Sequence, residues 1–375
     1  MIERLLLNLI LKEQKEGFIT LIHGSRRVGK TVLLSRILDR FPQAEKLVLN
    51  GDTDEARTLL GTTSEVSLTG LVANYPIIAI DEAQRIPNIG LSLKIIIDKF
   101  PTKKIFVTGS SSLYLAKGLH ETLTGRTLKY KLFPLSTKEL AQSLKPHEIP
   151  FLLENELIYG GYPYIQNLAT PTEKQAYLQS ITQDYLFKDL LELERLENPD
   201  SLKKLASLLA FQIGSEVSLN ELATKLSINV KTVARYLNLL KESFVIFELG
   251  AFSSNLRDEV TTGKKYYFYD LGIRNALILQ FHSLDVRTDI GNLWENFLAV
   301  ERLKKHEYER NLTPHYFWRD YAKAEIDWIE GASGSLSAFE FKWKNRAFKT
   351  PKKFKDKYGL TASVVNKENY LGFIM

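Results

Sequence analysis

The chain contains no cysteine in its 375 residues. Disulfides and thiolate-held metals are therefore excluded, and the composition suits a reducing cytoplasm, where the chain is expected to work. Histidine is scarce, and the six copies (His23, His120, His147, His282, His306, His315) show no zinc-ligand spacing. Long apolar runs are missing as well. No stretch approaches the roughly 20 residues that a membrane span requires, so no membrane partner is expected. The apolar run at Leu5-Leu6-Leu7 is short, with Glu3 before it and Lys12 to Glu16 after it, where a signal peptide would carry a small-residue cleavage site. An amphipathic helix is expected there. Internal repeats and low-complexity tracts are also absent.

What remains is an ordinary globular composition: 44% hydrophobic, 25% charged and 11% aromatic, with a net charge of +6. That mild basicity is compatible with a nucleic-acid partner without requiring one. The length allows two or three domains. The first part alternates strands and helices, the pattern of a parallel sheet covered on its faces. Strands are expected at Phe18 to His23, Lys46 to Leu49, Pro76 to Ile80, Lys104 to Val107 and Leu128 to Phe133. Helices are expected at Thr31 to Phe41 and Leu91 to Phe100, and a further one begins near Ser136.

Gly24-Ser25-Arg26-Arg27-Val28-Gly29-Lys30-Thr31 satisfies G-x-x-x-x-G-K-[ST] at every fixed position, after a strand and before an amphipathic helix. Glycines allow backbone N–H groups to wrap phosphates, and the helix N-terminus favours anions. Lys30 would reach the β- and γ-phosphates, and the Thr31 hydroxyl would sit on Mg²⁺. Ile77-Ile78-Ala79-Ile80-Asp81-Glu82 is an apolar strand ending in two carboxylates. Asp81 would hold the magnesium shell, and Glu82 would orient and deprotonate the attacking water. In Ile105-Phe106-Val107-Thr108-Gly109-Ser110, Thr108 or Ser110 would sense the γ-phosphate or else cap a helix. Arg126, after Gly125, would stabilise transferring phosphate in cis or from a neighbouring copy, or else is a surface charge. ATP and Mg²⁺ are the cofactors expected, and a homo-oligomer would follow from an arginine acting in trans.

Together these segments, with Ala83-Gln84-Arg85-Ile86-Pro87 and Ser111-Ser112, resemble a family of prokaryotic AAA ATPases whose members carry a characteristic C-terminal domain of unknown function. The likeness continues through Gly160-Gly161-Tyr162-Pro163, Asp270-Leu271-Gly272-Ile273-Arg274-Asn275, Asp289-Ile290-Gly291-Asn292-Leu293-Trp294-Glu295-Asn296 and Glu340-Phe341-Lys342, and so spans nearly the whole chain. The resemblance implies an ATPase, while its later motifs identify the family without its task.

Leu219 to Leu226, a break at Ser227-Ile228-Asn229, and Val230 to Lys241 read as helix, turn, helix. Leu219, Leu222, Ala223 and Leu226 form one apolar face, and Val230, Val233, Ala234, Leu237 and Leu240 the other. Asn229 is the expected N-cap of the second helix, which presents Lys231, Thr232, Arg235 and Asn238 for phosphates and base edges. Such a winged helix binds DNA or serves as a protein-docking spacer.

Farther on, Glu295 lies in a helical stretch, Asp327 in an apolar strand, and Glu340 and Lys342 on one face of the next strand. This order resembles the restriction-endonuclease-like core, which implies a second metal site held by Glu295, Asp327 and Glu340, with Lys342 assisting the attacking water. A basic tail follows (Lys342, Lys344, Arg346, Lys349, Lys352, Lys353, Lys355, Lys357) with Trp343 and Phe348 interleaved, which suits a nucleic-acid backbone. The alternatives are a retained fold used for binding and a merely solvated face.

The fold expected is α/β throughout: an AAA-like P-loop domain with a parallel sheet over 1–140, a helical connector over 141–200, a winged helix over 201–262, and a restriction-endonuclease-like α/β domain over 263–375. The function expected is ATP hydrolysis coupled to the C-terminal half and acting on DNA. The alternatives are an ATP-gated metal-dependent nuclease and an ATP-switched protein-interaction module.

Overall fold

Five parallel strands form one sheet; the central three are apolar because buried parallel strands need apolar side chains on both faces, and the two at the edges are more polar. They are β1 (Ile19–His23), β2 (Lys46–Asn50), β3 (Ile77–Asp81), β4 (Lys104–Gly109) and β5 (Thr127–Lys131), hydrogen-bonded in the order β2-β3-β4-β1-β5. The computed structural model describes residues 2–109, 123–186, 199–253, 263–332 and 335–375. The chain divides into two units, Met1–Phe133 with Glu242–Phe244, and Pro134–Lys241 with Val245–Met375.

In the first unit every residue of β3 is buried. The helices are α1 (Leu5–Glu13), α2 (Lys30–Leu38), α3 (Asp54–Leu60), α4 (Glu65–Val72) and α5 (Ile89–Lys99). Ile78, Ile80, Ile105 and Val107 of the sheet pack with Leu68, Leu93, Ile96 and Ile97 in one apolar cluster. Sequence periodicity missed α3 and α4, because runs this short carry too few turns to show one. Their capping residues mark them instead: Thr53 and Ser64 accept the N–H groups of Ala56 and Ser67. Strand β4 lies between β1 and β3 with His23 opposite Gly109, so the loop after β1 and the acids ending β3 gather at the C-terminal edge of the sheet.

The second unit opens with a helical turn, Thr137–Leu140, closed by a capping box between Ser136 and Glu139. Helices α6 (Leu152–Tyr159), α7 (Pro171–Ser180), α8 (Pro199–Phe211), α9 (Leu219–Leu226) and α10 (Val230–Glu242) follow. The helical connector expected over 141–200 includes α7 and a π-helical turn at Ile181–Leu186, and residues 187–198 of it lie outside the described residues. A seven-stranded sheet has the order β12-β11-β10-β9-β7-β8-β6, where β6 is Glu216–Val217, β7 Ile246–Ala251, β8 Lys264–Phe268, β9 His315–Arg319, β10 Glu325–Ala332, β11 Ser335–Phe341 and β12 Ser363–Val365. The parallel pairing of β7 with β9 joins the strands beside the helix-turn-helix to those of the C-terminal segment, so one sheet runs across position 262. Helices α11 (Leu271–Leu277), α12 (Ile290–Tyr308), α13 (Lys352–Tyr358) and α14 (Tyr370–Ile374) complete this unit. Among the described residues no helix is long and apolar enough to cross a membrane.

Several of the motifs that carry the resemblance turn out to be staples of this second unit. The N–H of Gly161 donates to Asp270 Oδ2 at 2.7 Å, and a Cβ on Gly160 (φ +71°) would meet the same carboxylate at 2.2 Å. Asn275 donates to the carbonyls of Leu157 and Ile158 at the end of α6, at 3.0 and 2.8 Å. Arg274 and Arg287 both clamp Asp289, at 2.6 and 2.8 Å.

Candidate nucleotide site and carboxylate cluster

The loop between β1 and α2 depends on its glycines. Gly29 adopts φ +95°, which only glycine takes without strain, and a Cβ on Gly24 would lie 2.2 Å from the Leu132 carbonyl oxygen. Arg4 pins the loop from behind, donating to the Val28 carbonyl at 2.7 Å and to the Phe133 carbonyl at 2.5 Å. Inside it, Lys30 is buried and donates to the carbonyls of Gly24 and Ser25 at 3.2 and 2.8 Å. Ser25 and Val28 are buried, Arg26 half-buried, and Arg27, at φ +60°, exposed.

Asp81 joins this loop to the sheet. The exposed Thr31 hydroxyl donates to Asp81 Oδ2 at 2.8 Å, and the buried Thr108 hydroxyl donates to Asp81 Oδ1. Thr108 also accepts the N–H of Glu82 at 3.1 Å. Expected as a phosphate sensor or a helix cap, Thr108 is seen bound to both acids. Glu82 adopts φ +49°, and its Oε2 accepts from Gln84 Nε2 at 2.5 Å. A Cβ on Gly51 would meet the Glu82 carbonyl oxygen at 2.4 Å, so the neighbouring strand end must carry glycine for this turn to form. The hard oxygens of Thr31 and Asp81 suit Mg²⁺.

Arg126 stands elsewhere. Its carbonyl accepts the N–H of Ile19, the first residue of β1, and its side chain pairs with Asp98. Since the phosphate loop begins after the last residue of β1, Arg126 is about 13 Å of strand away. In this structure it forms a half-exposed ion pair away from the loop. Ser110, the other expected sensor, lies outside the described residues, as do Ser111 and Ser112.

In the second unit, α9 ends at Ser227 in the left-handed conformation (φ +53°), and the Asn229 side chain caps α10 by accepting the N–H of Lys231 at 2.8 Å. Lys231, Arg235 and Asn238 are exposed along one row of α10, and Thr232 is half-buried. The apolar face differs in detail from the expectation. Val230 and Ala234 are exposed, and Tyr236 and Leu239 join Val233, Leu237 and Leu240 in the core. Two large side chains exclude more water from that face than valine and alanine would.

The C-terminal acids are brought together by α12 and the sheet. Asn296 binds both the N–H and the carbonyl of Phe268, each at 2.8 Å, which fixes α12 on β8 and sets Glu295 beside Lys265. A register shift between Ile326 and Ile329 in the β9–β10 pairing falls at Asp327 and re-aims it. Among the described residues, carboxylate oxygens of Glu295, Glu325 and Asp327 lie within 4.8 Å of one another. Of the expected set of Glu295, Asp327 and Glu340, the first two converge with Glu325, which sequence reasoning did not name, and Glu340 Oε1 accepts from Lys342 at 2.5 Å. Glu340 and Lys342 do pair with each other, as their shared face allows.

Lys265, which sequence reasoning missed, is 1% exposed and donates to Glu295 Oε1 at 2.9 Å and to Glu325 Oε1. Burial works against its charge, but Glu295, Asp327 and Glu325 outweigh burial and hold it above the usual lysine range. Burial, then the charges of Glu295 and Glu340, push Asp327 well above the usual carboxylate range.

Three family descriptions match the chain: an AAA domain over residues 16–141, a domain of unknown function (DUF8612) over 151–285, and another (DUF4143) over 290–371. The N-terminal α/β domain is thus similar to P-loop ATPase domains of the AAA type. Uncharacterised proteins of Mycobacterium tuberculosis and Mycobacterium bovis are each 26% identical over 327 residues, which is 86% of this chain and 70% of theirs. A protein of Methanocaldococcus jannaschii is 25% identical over 335 residues, 83% of this chain and 71% of its own. Among solved structures, a Pif1 helicase from Bacteroides in complex with ADP-AlF3 and ssDNA aligns at 14% identity and a TM-score of 0.27. The chain spans about half of that helicase, 49% of this chain aligning with 50% of it, and the likeness is too low to carry more.

Proposed function

We propose that this chain is a P-loop ATPase that binds ATP with Mg²⁺ at Gly24–Thr31, Asp81 and Glu82, hydrolyses it, and uses the cycle to rearrange a C-terminal half that acts on DNA. The observation that carries the reading is the 2.8 Å hydrogen bond from Thr31 to Asp81, which joins the helix behind the phosphate loop to the acid-bearing strand. Those two oxygens would hold Mg²⁺, which when bound neutralises charge on the phosphates. Lys30 would exchange the Gly24 and Ser25 carbonyls for the β- and γ-phosphates. Glu82, steadied by Gln84, would take the proton of the attacking water. Thr108 is a positioning residue for both acids.

The same proposal assigns residues 201–262 to a winged helix, with Lys231, Thr232, Arg235 and Asn238 facing DNA, and residues 263–375 to a restriction-endonuclease-like fold. Supporting it are the order helix, turn, helix, then strand β7, and the exposed polar row of α10. A second reading, an ATP-switched module whose distal half grips protein, is favoured by the ammonium of Lys265 among the C-terminal acids.

The deciding experiment is the ATPase rate with and without single- and double-stranded DNA. Stimulation supports action on DNA, and a flat rate moves the function to the protein-gripping reading. Lys30→Ala is expected to abolish nucleotide binding, and Glu82→Gln to retain ATP without turnover. Wild-type turnover by Glu82→Gln would remove that residue from its role. A folded wild-type chain with no affinity for any nucleoside triphosphate would sink both readings.

A further inference from the structure

The resemblance to the restriction-endonuclease-like core implies a divalent metal in the C-terminal unit, and the residues present do not fit one. We infer that Lys265 is a built-in cation that takes the place of this metal, so that residues 263–375 hold no Mg²⁺ and do not cut phosphodiester bonds. The ammonium lies against two of the three converging carboxylates, Glu295 and Glu325. Further hydrogen bonds reach the cluster, though among the described residues none reaches Glu295 Oε2 or Asp327 Oδ1. Glu295 Oε1 also accepts from the Tyr267 hydroxyl at 2.7 Å, and Asp327 Oδ2 accepts the Phe341 N–H at 2.8 Å. Arg319 Nε stands 3.5 Å from Glu325 Oε2, and Glu340 Oε1 is taken by Lys342.

Four carboxyl groups thus face Lys265, Lys342 and an Arg319 shared with Glu216, so much of the charge that normally draws a divalent ion is met from within. Glu340 Oε2 is buried without a partner, and an ion drawn to the open carboxylate oxygens would meet the like charge of the Lys265 ammonium beside them. To admit a metal, Lys265 would have to leave its carboxylates. It is 1% exposed and lies 5.3 Å from the centre of the Phe317 ring, so its buried charge depends on these carboxylates. An acidic cluster neutralised in this way can hold β8, β10 and α12 in register, which is a role in binding or transmission and not in cutting.

The inference is independent of the ATPase reading and is tested without nucleotide, by titrating the full-length chain with Mn²⁺ and following the free-ion signal by electron paramagnetic resonance. Wild type and Asp327→Asn are expected to bind the same number of Mn²⁺ ions. Lys265→Met is expected to gain one site at least about ten-fold tighter than any in the wild type, as ligand charge no longer met by lysine becomes available. That site should vanish in Lys265→Met/Asp327→Asn. A Mn²⁺ ion bound by the wild type and lost in Asp327→Asn would overturn the inference, and so would a folded Lys265→Met chain that takes up none. If Lys265→Met does not fold, Lys265→Arg, which keeps the charge, is expected to fold and to match the wild type. A Mn²⁺ site in Lys265→Arg that depends on Asp327 would equally overturn it.

Discussion

Thr31 and Thr108 hold the two oxygens of Asp81 from opposite sides, one from the helix behind the phosphate loop and one from the central strand β4. The carboxylate is thereby fixed before any nucleotide arrives, and the N–H of Glu82 is tied to the same Thr108 hydroxyl. Preorganisation of this kind spares the reorganisation that the reaction would otherwise require.

Thr108→Val tests that geometry. It keeps the shape of the side chain while leaving a buried carboxylate oxygen and a backbone N–H without their partner, which costs about 1–3 kcal/mol of stability. Nucleotide affinity should stay within about three-fold, because no phosphate contact is removed, while kcat should fall by about ten-fold or more through misaligned acids. Fluorescent-nucleotide titration and single-turnover hydrolysis separate the two effects. An affinity loss equal to the rate loss would return Thr108 to the role of phosphate sensor.

Arg126→Ala carries the opposite expectation. The side chain pairs with Asp98 at the sheet edge away from the phosphate loop, and exposed pairs contribute about 0–1 kcal/mol. Hydrolysis measured at dilution should stay within about two-fold of the wild type. A large loss that persists on dilution would show that Arg126 reaches phosphate within its own chain and would contradict the strand geometry.

The parallel sheet and the phosphate loop were legible in the sequence for related reasons. A strand buried on both faces must be a continuous apolar run, and a loop that wraps phosphate with backbone N–H groups must carry glycine at fixed positions. The C-terminal cluster was legible only in part. Glu295 and Asp327 stand out as isolated acids in apolar contexts, but Lys265 and Glu325 are 60 residues apart and meet only because β8 and β10 belong to one sheet. A bulge at Asp327 shifts which acids converge, and no alternation rule anticipates a bulge. Arg4 went unnoticed because its work is done on carbonyl groups, which leave no trace in side-chain patterns.

Lys231→Ala with Arg235→Ala addresses the exposed row on α10. If both side chains contact phosphates, the slope of log affinity against log salt should become shallower by about 1.8, the release of two counterions. Affinity should fall for all sequences alike, as phosphate contacts carry no base information. Fluorescence anisotropy at several salt concentrations gives both quantities. An unchanged slope would assign α10 to a protein partner.

A buried acidic site in the second unit sets the pH dependence of folding. Glu156 accepts from the Thr137 hydroxyl at 2.9 Å, and Glu301 binds the Thr137 N–H at 2.9 Å and Lys304 at 2.6 Å. Burial, then the charge of Glu301, pushes the Glu156 carboxyl from 4.5 up to about 8, and burial raises Asp270 to about 6. A raised carboxyl means that the folded chain keeps a proton which the unfolded chain releases. The stabilising contribution of Glu156 is therefore complete below its unfolded value of 4.5 and is lost as the pH climbs to about 8. Glu156→Gln keeps an oxygen for Thr137 and has no proton to lose. It should flatten the fall in stability between about pH 5 and about pH 8, where the wild-type slope from this one group approaches about 1.4 kcal/mol per pH unit. Urea unfolding at both ends of that range measures the difference, and parallel profiles for variant and wild type would mean that Glu156 is already ionised in the folded chain.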